Sequence, residues 1–88
     1  MRLFYPMKRE DIENKINGFL MEEFEIEGSK ISPDAHLKND LGLESLDFVD
    51  IAVIVQKEFG LTLKGEEMTA IRTLQNLYDY IDTFYHKK

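Results

Sequence analysis

The sequence predicts an all-α fold: a small four-helix bundle with three main helices, one short helix and a long first loop. Three observations predict it. Apolar residues recur at three- and four-residue spacing in three separate stretches, glycine, proline and serine breakers fall between those stretches, and no stretch reads as a strand. With 88 residues, 43% hydrophobic and 32% charged, the chain has the composition of one folded domain, expected to span residues 1–88. A chain this short buries only about 60–65% of its unfolded surface, so a few kcal/mol of net stability is expected.

Residues 1–7 form an N-terminal lead with three large apolar groups, Leu3, Phe4 and Tyr5, expected to fray while packing partly on the bundle. From about Lys8 to Phe24, Ile12, Ile16, Phe19, Leu20 and Phe24 trace one face of a first helix. Gly18 falls on its outer side at a cost of up to about 1 kcal/mol. Residues 25–44 hold no sustained period. Gly28-Ser29 and Ser32-Pro33-Asp34 break the chain, Ile26, Ile31, Leu37 and Leu41 are isolated anchors, and a short helical turn is expected over Asp34 to Leu37. A loop this long needs tying down or a function.

The second helix is expected from Ser45 to Phe59, with Ser45 as N-cap, Asp47 in the first turn, Lys57 in the last and Gly60 as the terminating residue. At about 100° per residue, Phe48, Ile51, Ala52, Val55 and Phe59 fall on one face, which is core. Leu46, Val49 and Val53 fall roughly opposite, beside Asp50 and Lys57. A helix in a small domain has little need of a second apolar stripe unless something comes to cover it. Leu61 and Leu63 then lead to a short helix over Gly65-Glu66-Glu67-Met68. Thr73 caps the last helix, whose stripe is Leu74, Leu77, Tyr78 and Ile81, with Phe84 and Tyr85 continuing into a tail over residues 85–88 that ends His86-Lys87-Lys88.

Composition narrows the function. A net charge of −6 argues against nucleic acid and favours basic protein partners. The chain has no cysteine, which removes disulfides, thiolate metal sites and cysteine nucleophiles. No apolar run approaches the ~20 residues of a membrane span, and the start breaks at Pro6 before any signal core can form. A cytoplasmic monomer that binds neither membrane nor metal is expected. A calcium loop is not written here either, because the spaced D-x-[DN]-x-[DN]-G pattern is absent.

Ser45 is the residue with chemistry to offer. As an N-cap it would sit at the surface beside a helix start that attracts phosphate. By itself that describes an ordinary capping serine. A hydrolase nucleophile would need something like G-x-S-x-G and a nearby histidine. Gly42 lies three residues before Ser45 rather than two, position 47 is aspartate, and the histidines are His36 in the long loop and His86 in the tail.

The stretch Leu41-Gly42-Leu43-Glu44-Ser45-Leu46-Asp47, the helix ending Lys57-Glu58-Phe59-Gly60, and the later Ile71-Arg72-Thr73-Leu74 resemble the acyl carrier protein family, phosphopantetheine-binding carriers that include the peptidyl carriers. The resemblance covers about Ile12 to Ile81. It implies a four-helix bundle of acyl-carrier type and a carrier, not an enzyme. Ser45 would hold a 4′-phosphopantetheine arm derived from coenzyme A, whose thiol carries acyl groups as thioesters for fatty-acid or related specialised, polyketide-like biosynthesis. It implies as partners a phosphopantetheinyl transferase and acyl-transferring and acyl-modifying enzymes with basic docking patches. The recognition surface it implies is Glu44, Leu46, Asp47, Val49, Asp50 and Val53, extended by Leu63 and Glu66. Glu44 stands where the family usually has aspartate, and Lys64-Gly65 where proline and an acid are common, which weakens the case for a housekeeping fatty-acid carrier. A peptidyl or aminoacyl carrier and a helical interaction domain that never bears the arm are the alternatives.

Overall fold

A computed structural model describes residues 8–86; the lead over residues 1–7, with Leu3, Phe4 and Tyr5, and the tail residues Lys87 and Lys88 lie outside them. Four α-helices follow in order: α1 over Arg9–Glu23, α2 over Ser45–Phe59, α3 over Gly65–Met68 and α4 over Leu74–Tyr85, with a single 3₁₀ turn at Gly28–Lys30 in the long loop. The described residues hold no strand, only an isolated bridge between His36 and Thr73.

Every α-helix begins with the same local device. The side chain three residues into the helix turns back and accepts the backbone N–H of the cap residue: Asp11 from Lys8 at 3.2 Å, Asp47 from Glu44 at 2.9 Å, Glu67 from Lys64 at 3.0 Å and Asn76 from Thr73 at 3.1 Å. Only at Thr73 is the exchange reciprocal, its hydroxyl accepting the Asn76 N–H at 3.2 Å. At the other end of α2, Gly60 takes a left-handed conformation, φ 71°, and returns its N–H to the Gln56 carbonyl.

The three long helices meet over Ile12, Ile16 and Leu20 of α1, Ile51 and Val55 of α2, and Leu74, Leu77 and Ile81 of α4, all fully buried. Polar contacts fasten α1 to α4 at the edge of this core. The Arg9 guanidinium reaches Asp79 at 2.8 Å and Asp82 at 3.2 Å and lies over the Tyr78 ring, while the Tyr78 hydroxyl donates to Asn17. Burial works against the Arg9 charge, but hydrogen bonds to Asp79, Glu13 and Asp82 outweigh it and raise the pKa above the ordinary arginine value.

The long loop is tied down in two ways, the first by the apolar anchors read from the sequence. Ile26, Leu37 and Leu41 are buried, joined by Ala35 and Leu43, while Ile31 is half-buried. Its backbone also pairs with the start of α4. The Leu37 N–H donates to the Arg72 carbonyl, the Leu74 N–H to Ala35 and the Gln75 N–H to Pro33, each at 2.9 Å. These bonds correct one expectation. The helical turn lies not at Asp34 to Leu37 but just after it, where Asp40 donates to His36 and Gly42 to Lys38. Ahead of it, Ser32 to Ala35 closes only a single turn, the Ala35 N–H donating to the Ser32 carbonyl, while the Pro33 and Ala35 carbonyls and the Leu37 N–H bond to the segment that opens α4.

Candidate functional site

The chain reaches Ser45 along a short, stiff path. Leu41 and Leu43 are buried on either side of Gly42, which is exposed at φ 73°, a conformation that favours glycine. Glu44 comes next in an extended conformation and is the N-cap; Ser45 is the first residue of α2. The sequence expectation of Ser45 as N-cap is therefore corrected by one position. Asp47 decides it: standing three residues after Glu44, its carboxylate takes the Glu44 N–H and fixes that residue as the cap. Ser45 is left with an exposed hydroxyl that makes no hydrogen bond within the described residues, and the N–H groups of Ser45 and Leu46 likewise find no acceptor there. These are free donors at the positive end of a four-turn helix.

Beyond Ser45, α2 keeps its two stripes apart. Ile51 and Val55 are 0% exposed, whereas Leu46, Val49 and Val53 are 79%, 60% and 60% exposed. Phe48 and Ala52, assigned to the core face, are only half-buried. Glu44 and Asp50 are exposed beside the outer stripe; Asp47 is half-buried and already holds the Glu44 N–H. Glu66 is exposed on α3, but Leu63 departs from the set: at 8% exposure it belongs to the interior and offers a docking partner almost nothing. Glu67 is engaged rather than free. It accepts the Tyr80 hydroxyl at 2.7 Å as well as the Lys64 N–H. The Tyr80 contact and then the Lys64 contact hold the Glu67 carboxyl below its usual range, while burial and the same hydrogen bond push Tyr80 up to about 12.

Leu63 instead helps line a groove of about 730 Å³ that runs from Ser45 between α2, α3 and the long loop. Phe48, Ala52, Leu63, Met68 and Ile71 give it apolar walls, and His36, Lys38 and Arg72 also border it. Sequence reading passed over Lys38 and Arg72. Their one signal is position, each directly following a buried anchor, Leu37 and Ile71. His36 borders the groove together with Ser45, but no hydrogen bond joins them, and Asp40 accepts the His36 backbone N–H rather than orienting its ring. Nucleophilic catalysis would need both links. Among the described residues, no group of three or more His, Cys, Asp or Glu side chains could hold a metal ion, and no helix is long and apolar enough to cross a membrane.

Comparison with known proteins agrees with this geometry. Residues 14–81 match the family model described as the phosphopantetheine attachment site. The chain is 33% identical over 82 residues to an acyl carrier protein of Coprothermobacter proteolyticus, covering 93% of this chain and 100% of that one. It is 35% identical over 82 residues to an acyl carrier protein of Cyanidioschyzon merolae, covering 93% and 88%. Such proteins are carriers rather than enzymes, bear a 4′-phosphopantetheine prosthetic group and work by meeting other enzymes. The chain belongs to the acyl carrier protein family.

Proposed function

We propose that Ser45 is the attachment point of the phosphopantetheine arm, and that the protein presents acyl groups on that arm to a series of enzymes. One observation supports this above the others: the exposed, unbonded Ser45 hydroxyl at the start of α2, beside two free N–H groups and at the edge of the groove. Exposure alone does not distinguish it, because Ser29 and Ser32 are exposed too. They lie in the long loop, with neither a 15-residue helix behind them nor the groove beside them. The residues present fit the group. A phosphodiester at Ser45 would meet the donors at the helix start, and the apolar groove offers a place for the rest of the arm and its acyl chain.

On modification, the Ser45 oxygen would form a new bond to the phosphorus of coenzyme A as the pyrophosphate link breaks and 3′,5′-ADP leaves. The serine proton passes to the transferase, since Ser45 has no base of its own. When bound, the arm supplies a terminal thiol that holds acyl groups as thioesters. The protein's contribution is tethering, which raises the effective concentration of the acyl group at each partner. The docking surface is the outer stripe Leu46, Val49 and Val53 with Glu44, Asp50 and Glu66 around it. Acids speed the approach of basic patches, and a small apolar contact area permits release. Asp47 serves this surface mainly by fixing the helix start. The cargo belongs to fatty-acid or related specialised biosynthesis, with Glu44 and Lys64-Gly65 favouring the specialised side.

Intact mass after incubation with coenzyme A and a phosphopantetheinyl transferase tests the proposal. The wild type should gain one phosphopantetheine mass and Ser45→Ala none. A variant that still gains the mass places the attachment elsewhere, and a wild type that gains nothing is a helical interaction domain without the arm.

A further inference from the structure

The groove beside Ser45 is opposite in charge to the chain that forms it. The sequence has 17 acidic and 11 basic side chains, yet no residue bordering the groove is acidic, and His36, Lys38 and Arg72 all border it. Asp47 and Asp50, from the same helix as Ser45, and its N-cap Glu44 contribute nothing to the groove walls. The fold positions the two strong cations. Lys38 follows the buried Leu37, Arg72 follows the buried Ile71, and the Leu37 N–H donates to the Arg72 carbonyl at 2.9 Å. The two loop segments are thus hydrogen-bonded to each other, and each brings one cation to the rim.

Neither cation is neutralised. Arg9 and Lys15 are paired with carboxylates, but Lys38 and Arg72 form no ion pair among the described residues. The His36 ring has no partner there either, since Asp40 accepts only its backbone N–H. Beneath the rim lie Phe48, Ala52, Leu63, Met68 and Ile71. Free cations over an apolar floor suit a ligand with an apolar body and one anionic group. The guanidinium offers a planar fork that matches phosphate or carboxylate, and the ammonium offers a point charge.

We infer that Lys38 and Arg72 form an anion-receiving rim for the negatively charged group tethered through Ser45: the phosphodiester of the arm itself or a carboxylate on its acyl cargo. The inference rests on Ser45 bearing the arm. Tethering makes such a rim effective, because an exposed cation pair too weak to hold a free anion meets a tethered one at high local concentration. An acyl chain without a charge would use the floor of the groove alone. The rim therefore favours either a docked arm whatever the cargo, or carboxylated acyl groups over plain ones of equal length.

The test compares wild type with the double variant K38Q/R72Q. Each is loaded to completion from coenzyme A, hexanoyl-coenzyme A and adipoyl-coenzyme A, with intact mass confirming one arm per chain. Absence of added mass in the wild type overturns the Ser45 reading and the rim with it. With loading in place, the Tm of each form is measured against its own unloaded protein at low and high salt. The rim should raise the wild-type shift above that of the variant by about 3 °C at low salt, with the excess shrinking as salt screens it. An excess in all three forms assigns the rim to the phosphodiester, and an excess confined to the adipoyl form assigns it to the cargo. Shifts that agree between wild type and variant within about 1 °C in all three forms overturn the inference. Both side chains are exposed, so the variant should fold; Arg72→Gln alone gives the same comparison with a smaller shift.

Discussion

Val53 and Val55 are the same residue type two positions apart on one helix, and the protein uses them in opposite ways. Val55 is 0% exposed among Ile51, Ile16 and the other core residues, while Val53 is 60% exposed beside Val49 and Leu46. The pair teaches that the apolar content of a helix is not a measure of its burial. The inner stripe of α2 contributes to stability through apolar area removed from water. The outer stripe removes little on folding, and its residues lie between exposed acids, an arrangement suited to a partner's surface.

The largest expected effect breaks that comparison apart directly. Val55→Ser deletes buried methyl groups and puts a hydroxyl where no partner waits. A loss of about 3 kcal/mol is expected, a large share of a small domain's stability. Val53→Ser should cost within about 0.5 kcal/mol. Urea midpoints of both variants decide it, and equal large losses would mean that α2 is buried all round. Among variants that stay folded, the order should reverse in partner turnover.

A second prediction sharpens the outer face. Glu44→Lys with Asp50→Lys should lower transferase kcat/KM by about tenfold at low salt and by less at high salt, with the helical circular dichroism retained. Asp47→Lys is a poorer probe, because it also removes the acceptor of the Glu44 N–H. Loading unchanged at low salt would show that these acids are only a solvated face.

A smaller effect concerns α3, which forms one side of the groove and is held by the contact between Tyr80 and Glu67. Glu67 has a lowered pKa in the folded state, so its contribution is present above the ordinary 4.5 and is lost as the pH falls through the folded value. Tyr80 is raised from 10 to about 12, so its contribution is present below pH 10 and is lost as the pH rises toward 12. The stability difference between wild type and Tyr80→Phe should therefore be constant between these limits and shrink beyond both. A difference that does not change with pH would mean the hydrogen bond contributes nothing. Smallest of all, Gly18→Ala should gain about 0.5–1 kcal/mol, since a Cβ there meets nothing within 4 Å. A loss in thermal denaturation would contradict it.

Much of the fold was legible because it depends on spacing. The stripes of α1 and α4, the stop at Gly60, the cap at Thr73 and both stripes of α2 are repetitions of a local geometry that sequence records. What spacing does not record is competition between neighbours. Ser45 is a good cap by type, yet Asp47 fixes Glu44 as the cap instead, because the backbone donor it can reach belongs to Glu44. Leu63 reads as an apolar neighbour of acids, and only the path of the chain into α3 turns it inward. Lys38 and Arg72 are 34 residues apart in sequence; their shared border on the groove comes from backbone hydrogen bonds between the loop and the start of α4. Nothing in either segment alone announces that meeting.

On the proposed function, one hydroxyl out of several exposed ones receives the arm because of where it stands. Loading the wild type with coenzyme A and a transferase, then locating the added mass by peptide mapping, tests it most directly. All of the added phosphopantetheine should lie on the peptide containing Ser45, with peptides containing Ser29 and Ser32 unmodified. Modification at either loop serine while Ser45 stays bare would contradict it.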